Sequence, residues 1–160
     1  NRYKNENKNK IKNKKEKMID SILLVDDEDL FHLVFEDSCS LLDITLSLKS
    51  INSSDEAAKL FADWQKNSEG KPECVFVDLN IIGSSFDGIE LIRKVNFEYG
   101  NNVVIGIISS SNEPEEQAKA IQSGAQFWII KSDDIEPRLE EFRKDYEGYK
   151  NRTLPFKVYK

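Results

Sequence analysis

Cysteine, histidine and long apolar runs are all scarce in this chain, and each scarcity narrows what it can be. The two cysteines, Cys39 and Cys74, have no metal or redox spacing and read as buried free thiols of a reducing cytosol. His32 is the single histidine. A relay or metal role is conceivable for it, but the favoured reading is a partly exposed helix residue. No apolar run approaches the roughly 20 residues that a membrane helix needs. The basic start leads only into Ile22–Val25, too short for an apolar signal core, so no signal peptide is expected. What remains is a 160-residue chain, 39% hydrophobic and 32% charged, which suits one globular domain with a real core.

Charge is unevenly spread. Residues 1–17 carry eight Lys or Arg against two Glu, a balance of +6, so the remainder holds −12 of the net −6. An acidic domain argues against nucleic acid as a direct partner. The Lys/Asn-rich arm, residues 1–18, reads as a solvated linker or polar helix extension rather than a tether. A chain that opens on Asn rather than Met leads one to expect an upstream segment.

Beyond the arm, short apolar runs alternate with amphipathic stretches. Phe31, Val34, Phe35, Cys39 and Leu42 fall on one helical face. Ile44, Leu46 and Leu48 alternate with polar residues, as in an edge strand. Ser53 or Ser54 can cap a helix striped by Ala57, Leu60, Phe61 and Trp64. Ile89, Ile92 and Val95 mark a third helix. A fourth has Asn112 as cap, Pro114 in its first turn and Gly124 past its end. Ile135, Leu139, Phe142 and Tyr146 mark a fifth, which Gly148 is expected to stop. Residues 151–160 form an unassigned tail after a domain spanning 19–150.

Five strands alternating with five helices predict an α/β fold: a doubly wound, five-stranded parallel sheet. For strand order 2-1-3-4-5, ligands bind at the switch point between the first and third strands, outside their carboxyl ends. Those strands deliver Asp26 and Asp27, after Ile22–Val25, and Asp78, after Cys74–Val77. The fourth and fifth apolar runs end at Ser109 and Lys131. Three carboxylates in one place repel; two unit charges 4 Å apart cost about 4 kcal/mol at an effective dielectric near 20. A hard divalent cation such as Mg²⁺ removes the conflict. Lys131 can balance the remaining charge, Ser109 can donate to a phosphoryl oxygen, and Asp78 can attack in line. Phosphoryl transfer needs little more than such positioning. Each group alone has a plain reading, since strand-end Asp residues are common in turns and helix caps, and Asp29 could cap the first helix.

Taken together, Leu23-Leu24-Val25-Asp26-Asp27-Glu28, Val77-Asp78-Leu79-Asn80, Asp87-Gly88, Ser109, Ser123-Gly124-Ala125 and Lys131 resemble the receiver domain of two-component response regulators, the fold of the chemotaxis protein CheY. The resemblance covers about Asp20 to Tyr149. It implies that Asp78 accepts a phosphoryl group from the phosphohistidine of a histidine kinase or phosphotransfer protein. It implies Mg²⁺ ligation by Asp26, Asp27, Asp78 and the Asn80 carbonyl, with Asp26 acting partly through water. Ser109, Lys131, Leu79 and Ser110 would hold the phosphoryl group, and Ser109 and Trp128 would be the switch pair, though ordinary packing also accounts for Trp128. Output would run through the face of helix four, strand five and helix five, to a downstream partner or a second copy, in the cytoplasm. No Gly-rich nucleotide loop is present, so ATP is not the expected donor. The chain departs from the family at Ile82 and Ser132, where Pro is usual, and in a longer loop through Gly83-Ser84-Ser85-Phe86. Two other readings compete with it: a degenerate receiver serving as scaffold, and a phosphatase of the haloacid dehalogenase type. The latter places its nucleophile first and its acidic pair last, the reverse of the order here.

Overall fold

The computed structural model describes residues 18–100 and 102–160; the basic arm up to Lys17 lies outside the described residues. The chain runs β1 (Ile19–Val25), α1 (Asp29–Leu42), β2 (Thr45–Ile51), α2 (Ser54–Lys66), β3 (Cys74–Asp78), α3 (Gly88–Phe97), β4 (Val104–Ser109), α4 (Pro114–Ser123), β5 (Phe127–Ile130), α5 (Glu136–Lys150) and β6 (Lys157–Tyr159). All pairings are parallel, in the order β2-β1-β3-β4-β5-β6. The predicted order of the first five strands is therefore the observed one. None of the helices among the described residues is long and apolar enough to cross a membrane.

Strands β3 and β4 are buried along their whole length, which is why they read as continuous apolar runs rather than alternating ones. Their side chains feed two cores. One, beneath α1 and α5, has a cluster of aromatic rings among aliphatic side chains: the Phe76 ring lies 5.1 Å from Phe35, 5.3 Å from Phe127 and 5.2 Å from Phe142. The buried members of the other, beneath α2, α3 and α4, are aliphatic apart from Phe61 and Trp128. Gly106 of β4 has no room for a side chain, since a Cβ there would stand 2.5 Å from the Phe127 carbonyl oxygen.

Several local expectations are corrected. Ser53, not Ser54, caps α2, accepting from the backbone N–H groups of Asp55 and Glu56. Asn112 does not cap α4: Glu113 holds that position, and the Asn112 side chain accepts from Gln117 instead. Asp29 is the first residue of α1 and not its cap; its carboxylate accepts from Asn52. Leu46 of the β2 edge is exposed rather than inward. Gly148 does not stop α5, which continues to Lys150; the bare Cα leaves space for Leu154, whose Cδ1 would be 2.5 Å from a Cβ. Finally, the unassigned tail contains a strand: residues 157–159 pair with β5 and make the sheet six-stranded.

Candidate functional site

The carboxyl ends of β1, β3, β4 and β5 come together around a cleft of about 450 Å³, lined by Glu28, Phe31, Asp78, Asn80, Ser109, Ser110 and Lys131 among others. Asp26, Asp27 and Asp78 each place a carboxylate oxygen within 4.8 Å of the others. Asp26 is fully buried and Asp78 nearly so, while Asp27 is half-buried. Lys131 reaches across from β5: its Nζ is 2.6 Å from Asp26 Oδ2 and 3.4 Å from Asp78 Oδ1. One ammonium against three carboxylates leaves a concentrated negative charge. Burial pushes the Asp78 carboxyl up to about 6; the Lys131 ammonium opposes this, and the Asp26 and Asp27 charges add to it. Oxygen-only donors with excess negative charge fit a hard divalent cation, so this donor set suits Mg²⁺.

Backbone contacts fix the acidic pair. Asp26 Oδ1 accepts from the Glu28 N–H at 2.8 Å. His32 Nε2 lies 2.5 Å from the Asp26 carbonyl oxygen. The sole histidine is thus a half-buried helix residue bracing the β1–α1 turn. Asp27 Oδ2 accepts from Ile82 N–H at 3.1 Å, which ties the β3–α3 loop to the site.

That longer loop is also held from its other side. Ser54 Oγ, fully buried, donates to the Phe86 carbonyl at 2.6 Å, and the Ser54 N–H donates to Ser84 Oγ at 3.0 Å. The Ser85 N–H donates to Asp55 Oδ2 at 2.9 Å and holds that carboxyl below its usual range. Asp87 caps α3 through Glu90 N–H. Gly88 is required next to it, because a Cβ there would lie 2.0 Å from the Asp78 carbonyl oxygen. The departure at Ile82 therefore costs no anchoring, although its side chain is 84% exposed. The other departure is also settled locally: no peptide bond among the described residues is cis, and Ser132 Oγ donates to the Asp134 carbonyl and accepts from Arg138.

Ser109 ends β4 with its hydroxyl accepting from the Ser111 N–H at 3.2 Å. The Ser111 carbonyl in turn accepts from the indole Nε1 of Trp128 at 3.0 Å. Trp128 is fully buried, so the expected switch aromatic occupies an inward position. Asn80 and Ser110 are exposed at the cleft. Leu79 turns its side chain into the aliphatic core, leaving only its backbone for a ligand. One site residue was not legible in the sequence: the Phe31 ring sits 4.2 Å from Lys131 Nζ, a cation–π contact. Its helical spacing marks it only as a core residue, and nothing in the chain pattern tells that a lysine a hundred positions later reaches over it.

Comparisons with known proteins bear on the family and the fold. The sequence pattern of the response regulator receiver domain matches residues 22–141. Among solved structures, a two component response regulator from Cytophaga hutchinsonii is 23% identical, with a TM-score of 0.70, over 84% of this chain and 98% of that one. NtrX from Brucella abortus is 23% identical with a TM-score of 0.69, over 84% of this chain; this chain spans only 28% of NtrX. The phosphorylated cyanobacterial phytochrome response regulator RcpA is 16% identical, with a TM-score of 0.63, over 85% of this chain and 96% of that one. At these identities the structural likenesses establish the shared fold. No curated protein matches the chain. The sequence match over most of the domain carries the assignment: this chain belongs to the receiver domains of two-component response regulators.

Proposed function

We propose that the chain is a phosphoacceptor switch, in which Asp78 takes a phosphoryl group from the phosphohistidine of a kinase or phosphotransfer protein. The observation that carries this is the convergence of Asp26, Asp27 and Asp78 within 4.8 Å, with Lys131 bonded into the cluster. A carboxyl with a pKa of about 6 is mostly ionised at neutral pH, so Asp78 is available as a nucleophile. An Asp78 carboxylate oxygen attacks phosphorus as the bond to the donor imidazole breaks, and the electron pair leaves on the imidazole nitrogen. Lys131 and Ser109 donate to the non-bridging oxygens, which carry the developing charge. Mg²⁺, held by Asp26, Asp27, Asp78 and the Asn80 carbonyl, would supply further charge neutralisation there.

In this reading the chain is no enzyme toward other substrates; it catalyses its own phosphorylation and dephosphorylation. It acts in the cytoplasm through protein contacts rather than nucleic acid. The phosphoryl group shifts the population between two conformations; reversing a 1:99 equilibrium takes about 5.5 kcal/mol of preference. The test is incubation with Mg²⁺ and acetyl phosphate followed by intact mass. A single phosphoryl adduct, absent without Mg²⁺ and absent in Asp78→Asn, supports the reading. No adduct in the wild type would point to a scaffold, and rapid turnover of varied phosphate esters to a phosphatase.

A further inference from the structure

The outer edge of β5 is not open. Residues 157–159 lie along β5 with Trp128 in register with Val158. Val158 and Phe156 pack against the aliphatic core that contains Trp128. On the other face Tyr159 is buried, its hydroxyl bonded to Tyr149 and Asp145 at 2.7 Å each. Lys157 Nζ makes ion pairs of 2.9 Å with Glu141 and Asp145. All these polar anchors come from α5, while the strand itself is three residues long and follows the exposed Leu154 and Pro155.

A continuous path joins this strand to the reaction site. Ser109 Oγ holds the Ser111 N–H, the Ser111 carbonyl holds the Trp128 indole, and Trp128 carries β6 beside it. Donation from Ser109 to a phosphoryl oxygen on Asp78 would draw the hydroxyl toward the cleft, and that movement, rather than competition for one hydrogen-bonding site, would lengthen its bond from the Ser111 N–H. Ser111 would keep only its side-chain contacts with Glu113 and Glu116, and its carbonyl, the acceptor of the Trp128 indole, would be free to shift.

We propose that residues 153–159 are an intramolecular strap that occupies the β5 edge in the resting state and is released when Asp78 carries a phosphoryl group. The inference rests on the reading of Asp78 as phosphoacceptor. Released, the β5 edge presents unpaired backbone groups, a surface that fits an extended segment of a partner protein. The buried Tyr159, with its ring against Phe142 and its hydroxyl on Tyr149, is the main contact that release must break. The rest is weak: the pairing is short, the apolar residues on the Trp128 side are half-exposed, and the Lys157 ion pairs are exposed and of small individual worth.

The test is backbone amide hydrogen exchange of residues 157–159 on the full chain, with the adduct read in parallel by intact mass. Acetyl phosphate with Mg²⁺ should speed exchange of these amides about tenfold or more, while β3 amides stay protected. Trp128→Phe, which keeps an aromatic ring but loses the indole donor, should speed the same amides without any phosphoryl donor. If the adduct forms and β6 exchange is unchanged, the strap inference fails while the phosphoacceptor reading stands. If no adduct forms, the phosphoacceptor reading fails, and the Trp128→Phe comparison still decides whether the indole holds the strap. Unchanged exchange in that variant would overturn the proposed path.

Discussion

The centre of the sheet and its β6 edge are built on opposite principles. At the centre, Asp26 and Asp27 follow the buried end of β1, Asp78 ends the fully buried β3, and the three are held by backbone donors and Lys131. At the edge, a strand of three residues is held by one buried tyrosine and a few polar contacts to α5. The centre must keep reacting groups within fractions of an ångström, so it is over-determined. The edge needs only to differ between two states, so it can be marginal. A receiver that both reacts and reports needs both kinds of region.

The comparison can be broken at the centre first. Replacing Asp78 by Asn should remove the phosphoryl adduct completely, read by intact mass, because, of the two carboxylates that Lys131 contacts among the described residues, Asp78 lines the cleft and Asp26 is fully buried. An adduct surviving in Asp78→Asn would move the chemistry elsewhere. Next, Phe76→Ala should destabilise the fold by about 3–5 kcal/mol in urea unfolding, since its ring meets Phe35, Phe127 and Phe142. A loss below about 1 kcal/mol would mean that this core is not the structural centre.

The Asp78 carboxyl gives a pH-dependent version of the same test. Its folded pKa of about 6 lies above the usual carboxylate value near 3.9, so the folded state binds the proton more tightly than the unfolded chain. The stabilisation this gives is fully present below about pH 4 and is lost as pH rises through about 6. At pH 7 without divalent cation, Asp78→Asn should therefore be more stable than the wild type by about 1–2 kcal/mol, with the difference vanishing near pH 4. Addition of Mg²⁺ should shrink it by stabilising only the wild type. An Asp78→Asn variant less stable at pH 7 would contradict the charge balance described for the cluster.

The edge should respond least. Tyr159→Phe removes a hydroxyl shared with Tyr149 and Asp145 and should cost about 1 kcal/mol, and Lys157→Ala about 0.5 kcal/mol or less. Both should nevertheless speed exchange of residues 157–159 more than that of β3. Equal effects on the two regions would remove the distinction between them.

Much of this arrangement was legible in the residues. Buried parallel strands write themselves as apolar runs, so Cys74–Val77 and Val103–Ile108 announced both their existence and the groups at their ends. Lys157-Val158-Tyr159 did not, because three residues carry no period, and the strand exists only through its register with Phe127–Ile129. The continuation of α5 past Gly148 was hidden for the same reason: the contact with Leu154 is tertiary. The pinning of the β3–α3 loop depends on Ser54 meeting Phe86 across 32 residues, which no local signal encodes. The strand-end groups proposed to react were read from one-dimensional spacing; the contacts that hold them required the fold.

The central claim is that Asp78 is the phosphorylated residue, and borohydride trapping tests it most directly. Reduction of an aspartyl phosphate converts that side chain to the alcohol of homoserine, which peptide mass mapping can place. After treatment with Mg²⁺ and acetyl phosphate, homoserine should appear at position 78 alone. Homoserine at another aspartate, or at none while the intact mass shows an adduct, would contradict the account.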